Sequence, residues 1–226
     1  MLTPRHAPRP CPGFRRLAAA VLVLAGFAAG PAEAAETAPP AVVVELFTSQ
    51  GCSTCPPADA FLAELSRRPD IVALEFHVGL WDFLGWNDPL AKAEFSERQH
   101  GYLAAMGGRY PYTPQMVIGG RRHEIGSNRD RVEQAILAVQ ASLTAQPDIA
   151  VRRLDSGHLQ IDIGAAAAKD AYDLVLVAYD SRYETDVENG RNKGRRLVNT
   201  HVVRSLERIG SWSGSAVSVT VPMPRV

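Results

Sequence analysis

Two β-branched apolar runs, "AVVVELFTS" at 41–49 and "IVALEFHV" at 71–78, bracket a stretch in which Ala58, Phe61, Leu62 and Leu65 recur at i, i+3, i+4 and i+7. Continuous apolar runs of this length read as strands buried on both faces. The spacing between them predicts one amphipathic helix that ends near Arg68, before Pro69. Strand, helix, strand is a βαβ unit, so the two strands lie parallel and the crossover is right-handed. The first strand reaches the helix through "GCSTCPP" at 51–57, two cysteines one turn apart followed by two prolines.

What a cysteine pair does depends on its compartment. The chain opens with Arg5, Arg9, Arg15 and Arg16, then the apolar run "LAAAVLVLAGFAA" at 17–29, then "AEA" at 32–34. This is the layout of a secretory signal peptide over residues 1–34, cleaved near Ala34. The Arg15-Arg16 pair leaves general secretory and twin-arginine export both open. The apolar run is 13 residues, short of the roughly 20 a spanning helix needs, and no later segment comes close; no membrane span is expected in the mature chain. Cys11 leaves with the leader, so Cys52 and Cys55 remain, in an exported, periplasmic setting that permits disulfides.

Taking four arginines and one glutamate from the 24 basic and 24 acidic residues leaves 20 against 23, a composition that does not suggest nucleic acid as a partner. The remaining 192 residues carry enough apolar content for a core that needs no cross-link. A disulfide closing a two-residue loop would also constrain the unfolded chain very little.

Beyond the βαβ unit, "GLWDFLGWNDP" brings Trp81, Phe83 and Trp86 together, and Asp88-Pro89 reads as an N-cap and first helical residue. A helical insertion is expected from about Pro89 to Met106, stopped by Gly107-Gly108. "TPQMVIGGRRHEI" reads as a hairpin turning at Gly119-Gly120. Ser127 and Asp130 have capping-box spacing, and Val132, Ala135, Ile136 and Val139 form the apolar face of a last helix. "TAQPD" at 144–148 looks like a linker, after which alternation takes over. We expect one domain over 41–145 and a small C-terminal β-sandwich-like domain over 148–226.

A strand that delivers Cys-x-x-Cys to a helix start offers the thiolate unpaired amides and the helix dipole. Cys52, the more exposed, would attack a disulfide, and Cys55 would resolve the mixed disulfide. A closed structural disulfide and a metal clip remain open on spacing alone. Pro56 bears on the chemistry: with Cys52 as N-cap, a proline stands where the amide ladder begins, so the helix either starts near Cys55 or has a distorted first turn. A later start leaves Cys52 with less help from the dipole.

Strand, Cys-x-x-Cys, helix, strand, proline-led hairpin and terminal helix resemble the thioredoxin fold over about residues 41–141. More closely, "VVVELFTSQGCSTCPPAD", "FHVGLWDFLGWNDP", "YTPQMVI" and "ENGRNKGRRLVNTHVVR" resemble the exported thioredoxin-like family catalogued as domain of unknown function 1223, over nearly the whole mature chain. The resemblance implies an α/β, thioredoxin-like fold, and it implies that Thr113-Pro114 is a cis bond facing the dithiol. The family has no settled activity. Thioredoxins carry Trp-Cys-Gly-Pro-Cys, whereas this chain has Gly51 before the pair and Ser53-Thr54 inside it, so no redox potential transfers.

Glu45, seven residues before Cys52, lies near the strand position of the buried acid that relays protons in thioredoxins; it is a candidate proton acceptor or an ordinary ion-paired glutamate. His77 ends the second strand, where parallel-sheet sites form, or is a satisfied structural histidine. Trp81, Phe83 and Trp86 line a substrate groove or pack the inserted helices. Arg191, Lys193, Arg195 and Arg196 grip an acidic partner or decorate a hairpin tip.

The sequence thus points to a thiol-disulfide oxidoreductase-like protein with Cys52, Cys55, Pro114 and Glu45 in the chemistry. Thr113, Trp81, Trp86 and His77 would lie on the substrate side. It would act on exported proteins or small thiol and disulfide substrates, and it needs no cofactor. A copper chaperone, with Met116 or His77 as third ligand, and a non-catalytic binding module are the rivals.

Overall fold

The computed structural model describes residues 41–143 and 146–224; the expected signal peptide and Cys11 lie outside them. The βαβ unit forms as expected. Strand β1 (Val42–Thr48) and strand β2 (Ile71–His77) pair in parallel, Val42 beside Ile71 and Thr48 beside His77, and helix α1 (Pro56–Leu65) joins them. Cys55 is the N-cap of α1, with Pro56 and Pro57 in the first two helical positions. Amides there have no intrahelical acceptor, so two prolines cost the helix little.

After β2 a 3-10 segment, Gly79–Leu84, leads to helix α2 (Ala93–Met106). That helix starts four residues later than the sequence suggests. Asp88 does not cap it: its carboxylate accepts the Leu90 N–H at 2.9 Å and is otherwise drawn inward. Strands β3 (Gln115–Ile118) and β4 (Arg122–Ile125) make the expected hairpin, and Gly119 and Gly120 take φ of 57° and 64°, the left-handed pair a tight turn requires. Helix α3 (Arg129–Gln140) is capped by Asn128, whose side chain accepts the Arg131 N–H at 3.3 Å, rather than by Ser127.

The C-terminal part does not close into a separate sandwich. Strands β5 (Ile149–Arg153), β6 (His158–Ile163) and β9 (Val217–Pro222) form a three-stranded sheet in the order β5-β6-β9. The long strands β7 (Tyr172–Asp186) and β8 (Arg196–Trp212) instead extend the main sheet, whose order is β4-β3-β1-β2-β8-β7. One ladder contact, Glu75 opposite Val202, joins β8 to β2 in parallel. Strands of this length serve both cores: Val203 packs in the main sheet, while Trp212 packs with Ile161, Ile163 and Val221 of the small one.

Strand alternation assigns the faces of the main sheet. Val44 and Leu46 of β1 and Ala73 of β2 pack with Phe61 and Leu62 of α1 and Ile136 of α3. Phe47, Phe76 and Val117 point the other way, onto Phe95 of α2. Phe76 anchors this second core, stacked on Phe47 at 5.4 Å and edge-on to Phe95 at 5.3 Å between ring centres. Replacing Phe76 with alanine should cost about 3–5 kcal/mol, by the usual price of a buried aromatic cavity, read as a lower urea midpoint at unchanged slope.

Candidate functional site

The loop after β1 carries the dithiol to the edge of α1. Cys52 and Cys55 are joined as a disulfide, with Cα atoms 5.4 Å apart. Cys52 is 3% exposed and Cys55 0%, so only the first sulfur's residue reaches the surface. The Thr54 hydroxyl donates to Cys52 Sγ at 3.4 Å, the oxidised sulfur having no proton of its own. Because the N-cap of α1 is Cys55 and not Cys52, the dipole stabilises a Cys52 thiolate less than a Cys52 N-cap would.

Thr113-Pro114 is cis, and the Thr113 carbonyl oxygen lies 3.9 Å from Cys52 Sγ. The Trp81 indole N–H donates to the Thr113 hydroxyl at 2.7 Å. A Cβ on Gly51 would meet Trp81 Cβ at 3.0 Å, so this glycine lets the loop and the indole approach. Trp86 donates to Gln50 Oε1 at 3.1 Å. Both tryptophans therefore lie against the dithiol loop, whereas Phe83 is 77% exposed.

Glu45 and His77 fall on opposite faces of the sheet. Glu45 is buried on the α2 side, where Arg98 donates to both its oxygens at 2.7 and 2.8 Å and the Tyr102 hydroxyl donates at 2.7 Å. None of its hydrogen-bond partners is a cysteine, and the ion pair occupies the carboxylate. His77 faces α1, with Nδ1 donating to Asp88 Oδ2 at 2.7 Å. Its Nε2 stands 3.5 Å from Glu75 Oε1, a charge contact rather than a hydrogen bond.

Around His77 lies a buried cluster that the sequence reading did not assemble. Glu75 accepts from Asn199 Nδ2 at 2.6 Å and the Thr200 N–H at 2.8 Å. Asp88 accepts the Gln50 N–H at 2.7 Å, tying the dithiol loop to the end of β2. Asp59, one turn beyond Cys55 on α1, accepts from the Thr48 hydroxyl at 2.7 Å. Burial opposes a charge on His77, but the Asp88 and Glu75 carboxylates outweigh it and raise its pKa to about 10. Burial, and then the neighbouring charge of Glu75, push the Asp59 carboxyl well above its ordinary range. Burial also works against the Asp88 anion, but His77 and the two amides hold its pKa down.

The segment "NGRNKGRR" is not a free tip. Asn192 is 1% exposed, and its Nδ2 donates to the Gln50 carbonyl at 2.8 Å and the Cys52 carbonyl at 2.9 Å. Arg191 sets its guanidinium 5.6 Å from the centre of the Trp81 ring. Asp59 had a signal, since 55, 59 and 62 share one helix face and put a charge on the buried stripe. Asn192 had none, its partners being about 140 residues away. Of the rival copper ligands, His77 is engaged by Asp88 and Met116 is buried in the α1–α3 core. Among the described residues, no group of three or more His, Cys, Asp or Glu side chains is arranged to hold a metal.

The raised pKa makes His77 a pH-linked support. Folded His77 binds its proton more tightly than the unfolded chain does, so its contribution is complete below about pH 6.5, the ordinary histidine value. The contribution is lost as pH climbs through about 10. Unfolding free energies from pH 6 to 10 should fall, and His77→Gln should flatten that fall while lowering stability at pH 6.

Residues 43–226 match the model of a family described as "Protein of unknown function (DUF1223)". A crystal structure of an Agrobacterium tumefaciens protein, from a structural genomics programme, is 34% identical and has a TM-score of 0.69, covering 80% of this chain and 78% of that one. No curated protein matches the chain. The family match takes in the dithiol, the buried cluster beneath it and the Asn192 segment that closes over it: the chain belongs to the DUF1223 family.

Proposed function

We propose that the protein is an exported, periplasmic thiol-disulfide oxidoreductase built on a thioredoxin-like fold, with residues 79–109 as a helical insertion. The observation that carries the reading is the Cys52–Cys55 disulfide, opposed at 3.9 Å by the Thr113 carbonyl. The fold reading is supported by parallel β1 and β2 around α1, the antiparallel β3–β4 hairpin, and α3 on the same face as α1.

In the reduced protein, the Cys52 thiolate attacks one sulfur of a substrate disulfide and expels the other as a thiolate, leaving a mixed disulfide. The Cys55 thiolate then attacks Cys52 Sγ, expels the second substrate thiolate and closes the protein disulfide. Two electrons pass to the substrate, and the two cysteine protons go to bases or solvent; the reverse sequence oxidises a dithiol. The Thr113 carbonyl and the Pro114 that follows it form the wall against which an extended substrate lies, flanked by Trp81 and Trp86. His77 holds Asp88, and through it the loop, and so acts on position rather than on substrate.

Asp59 takes the proton-acceptor part. Helical spacing puts its Cβ about 6 Å from that of Cys55, on the α1 face of the sheet, whereas Glu45 is on the α2 face. A carboxyl whose pKa is raised toward working pH is a better base for a thiol than an ordinary aspartate. The mixed-disulfide resolution rate should rise with pH as Asp59 ionises. Asp59→Asn should slow resolution and leave only the thiol's own pH dependence; an unchanged pH-rate profile would remove Asp59 from the step.

The two cysteines should fail differently. Cys55→Ser keeps the nucleophile without the resolver, so it should accumulate mixed disulfides with exported partners on non-reducing gels. Cys52→Ser should trap almost nothing, Cys55 being fully buried. Equal trapping by both variants, or none by Cys55→Ser, would favour a binding module instead.

A further inference from the structure

A groove of about 490 Å³ runs between α1 and the β7–β8 pair, and the exchange steps above do not use it. It begins at Pro56, the residue after Cys55, and Asp59 and Thr200 also line it. Ala60 and Ala63 form its α1 wall, and their small side chains leave the space open. Arg182 and Arg196 stand on the opposite wall, with Arg67 at the C-terminal end of α1.

The charges in this groove do not balance. Arg182 and Arg196 share a single carboxylate, Glu184, which each grips through both Nε and Nη2, the Nε contacts being 2.9 and 2.8 Å. Their side chains remain 62% and 65% exposed, and their Nη1 groups have no hydrogen-bond partner among the described residues. Arg67 is exposed and has no ion pair among the described residues. Glu64, which also lines the groove, is engaged by Arg129 of α3. Asp59 is only 6% exposed, and its carboxyl accepts from the buried Thr48 hydroxyl. Guanidiniums with free Nη1 donors remain able to attract and hydrogen-bond a second carboxylate, and the volume lies within the range of small-ligand sites.

We propose that this groove is a carboxylate-binding subsite that gives the dithiol a preference for anionic, peptide-sized thiol and disulfide substrates. The substrate part rests on the exchange reading; the binding part does not. The carboxylates come from a small peptide disulfide or from an acidic segment of an exported protein.

The first test uses the oxidised full chain and S-methylglutathione, which carries two carboxylates and no free thiol. Amide shifts are expected at Ala60, Ala63 and Thr200, weakening with added salt and lost in the Arg182→Gln/Arg196→Gln double variant. No shifts at these amides, or binding indifferent to both salt and the double variant, would overturn the subsite. The salt titration needs no variant, so a folding failure in the double variant leaves the test standing. A cysteine-free polyglutamate peptide is titrated in parallel, and the tighter of the two ligands identifies the source of the carboxylates.

The second test follows the oxidation of reduced protein by glutathione disulfide and by neutral hydroxyethyl disulfide, each rate divided by the rate at which the same disulfide oxidises free dithiothreitol. Electrostatic attraction should favour the anionic disulfide by about tenfold at low salt, and the ratio should fall toward one in the double variant. A ratio near one in the unaltered protein would overturn the preference. If neither disulfide exchanges while S-methylglutathione still binds, the exchange reading fails and the subsite stands.

Discussion

The Asp88 carboxylate is the joint on which the site depends. It is 5% exposed and takes N–H donors from three parts of the chain: the dithiol loop at Gln50, the turn at Leu90, and the His77 ring at the end of β2. Hydrogen bonds to a charged acceptor contribute about 1.5–3 kcal/mol each, more than neutral ones. Asn192 holds the same loop from the other side through the Gln50 and Cys52 carbonyls. The backbone flanking Cys52 is therefore held at the Gln50 amide by Asp88 and at the Gln50 and Cys52 carbonyls by the segment before β8.

This arrangement stands in for what the helix does not provide. With Pro56 and Pro57 in its first two positions, α1 is capped by Cys55, and Cys52 lies outside its first turn. The group in contact with Cys52 Sγ is instead the Thr54 hydroxyl, at 3.4 Å. It is exposed and adjustable, unlike a helix dipole, which is built into the backbone.

The elements that were legible in the sequence are those with local periodicity. The βαβ unit, the hairpin at Gly119-Gly120 and the apolar face of α3 declare themselves within a dozen residues, because period 2 or 3.6 shows over short windows. The faces are also legible in the alternation of the strands. Alternation along β1 sets Glu45 with Phe47, away from the Val44 and Leu46 that meet α1, so a carboxyl beside Cys55 had to come from elsewhere. The partnership of β8 with β2 was not readable, since it rests on one ladder contact between distant segments. The same holds for Asn192, which looks like a turn residue in a charged loop until the fold brings Gln50 and Cys52 to it.

A purely structural disulfide gives no reason for what surrounds it. The Cys52–Cys55 link closes a loop too short to restrict the unfolded chain much. Beneath it the protein buries Asp59, Glu75, His77 and Asp88, each 6% exposed or less. Desolvating an ion costs on the order of several kcal/mol, and well-packed apolar residues in such places are often as stabilising or more so. Only His77 is cationic among the four, and its charge lies between Glu75 and Asp88, leaving Asp59 without a countercharge in direct contact. A carboxyl whose pKa is raised by burial, one turn from the inner cysteine and at the edge of a groove, weakens a staple, whereas once ionised it is a stronger base than an ordinary aspartate for a thiol that must give up its proton.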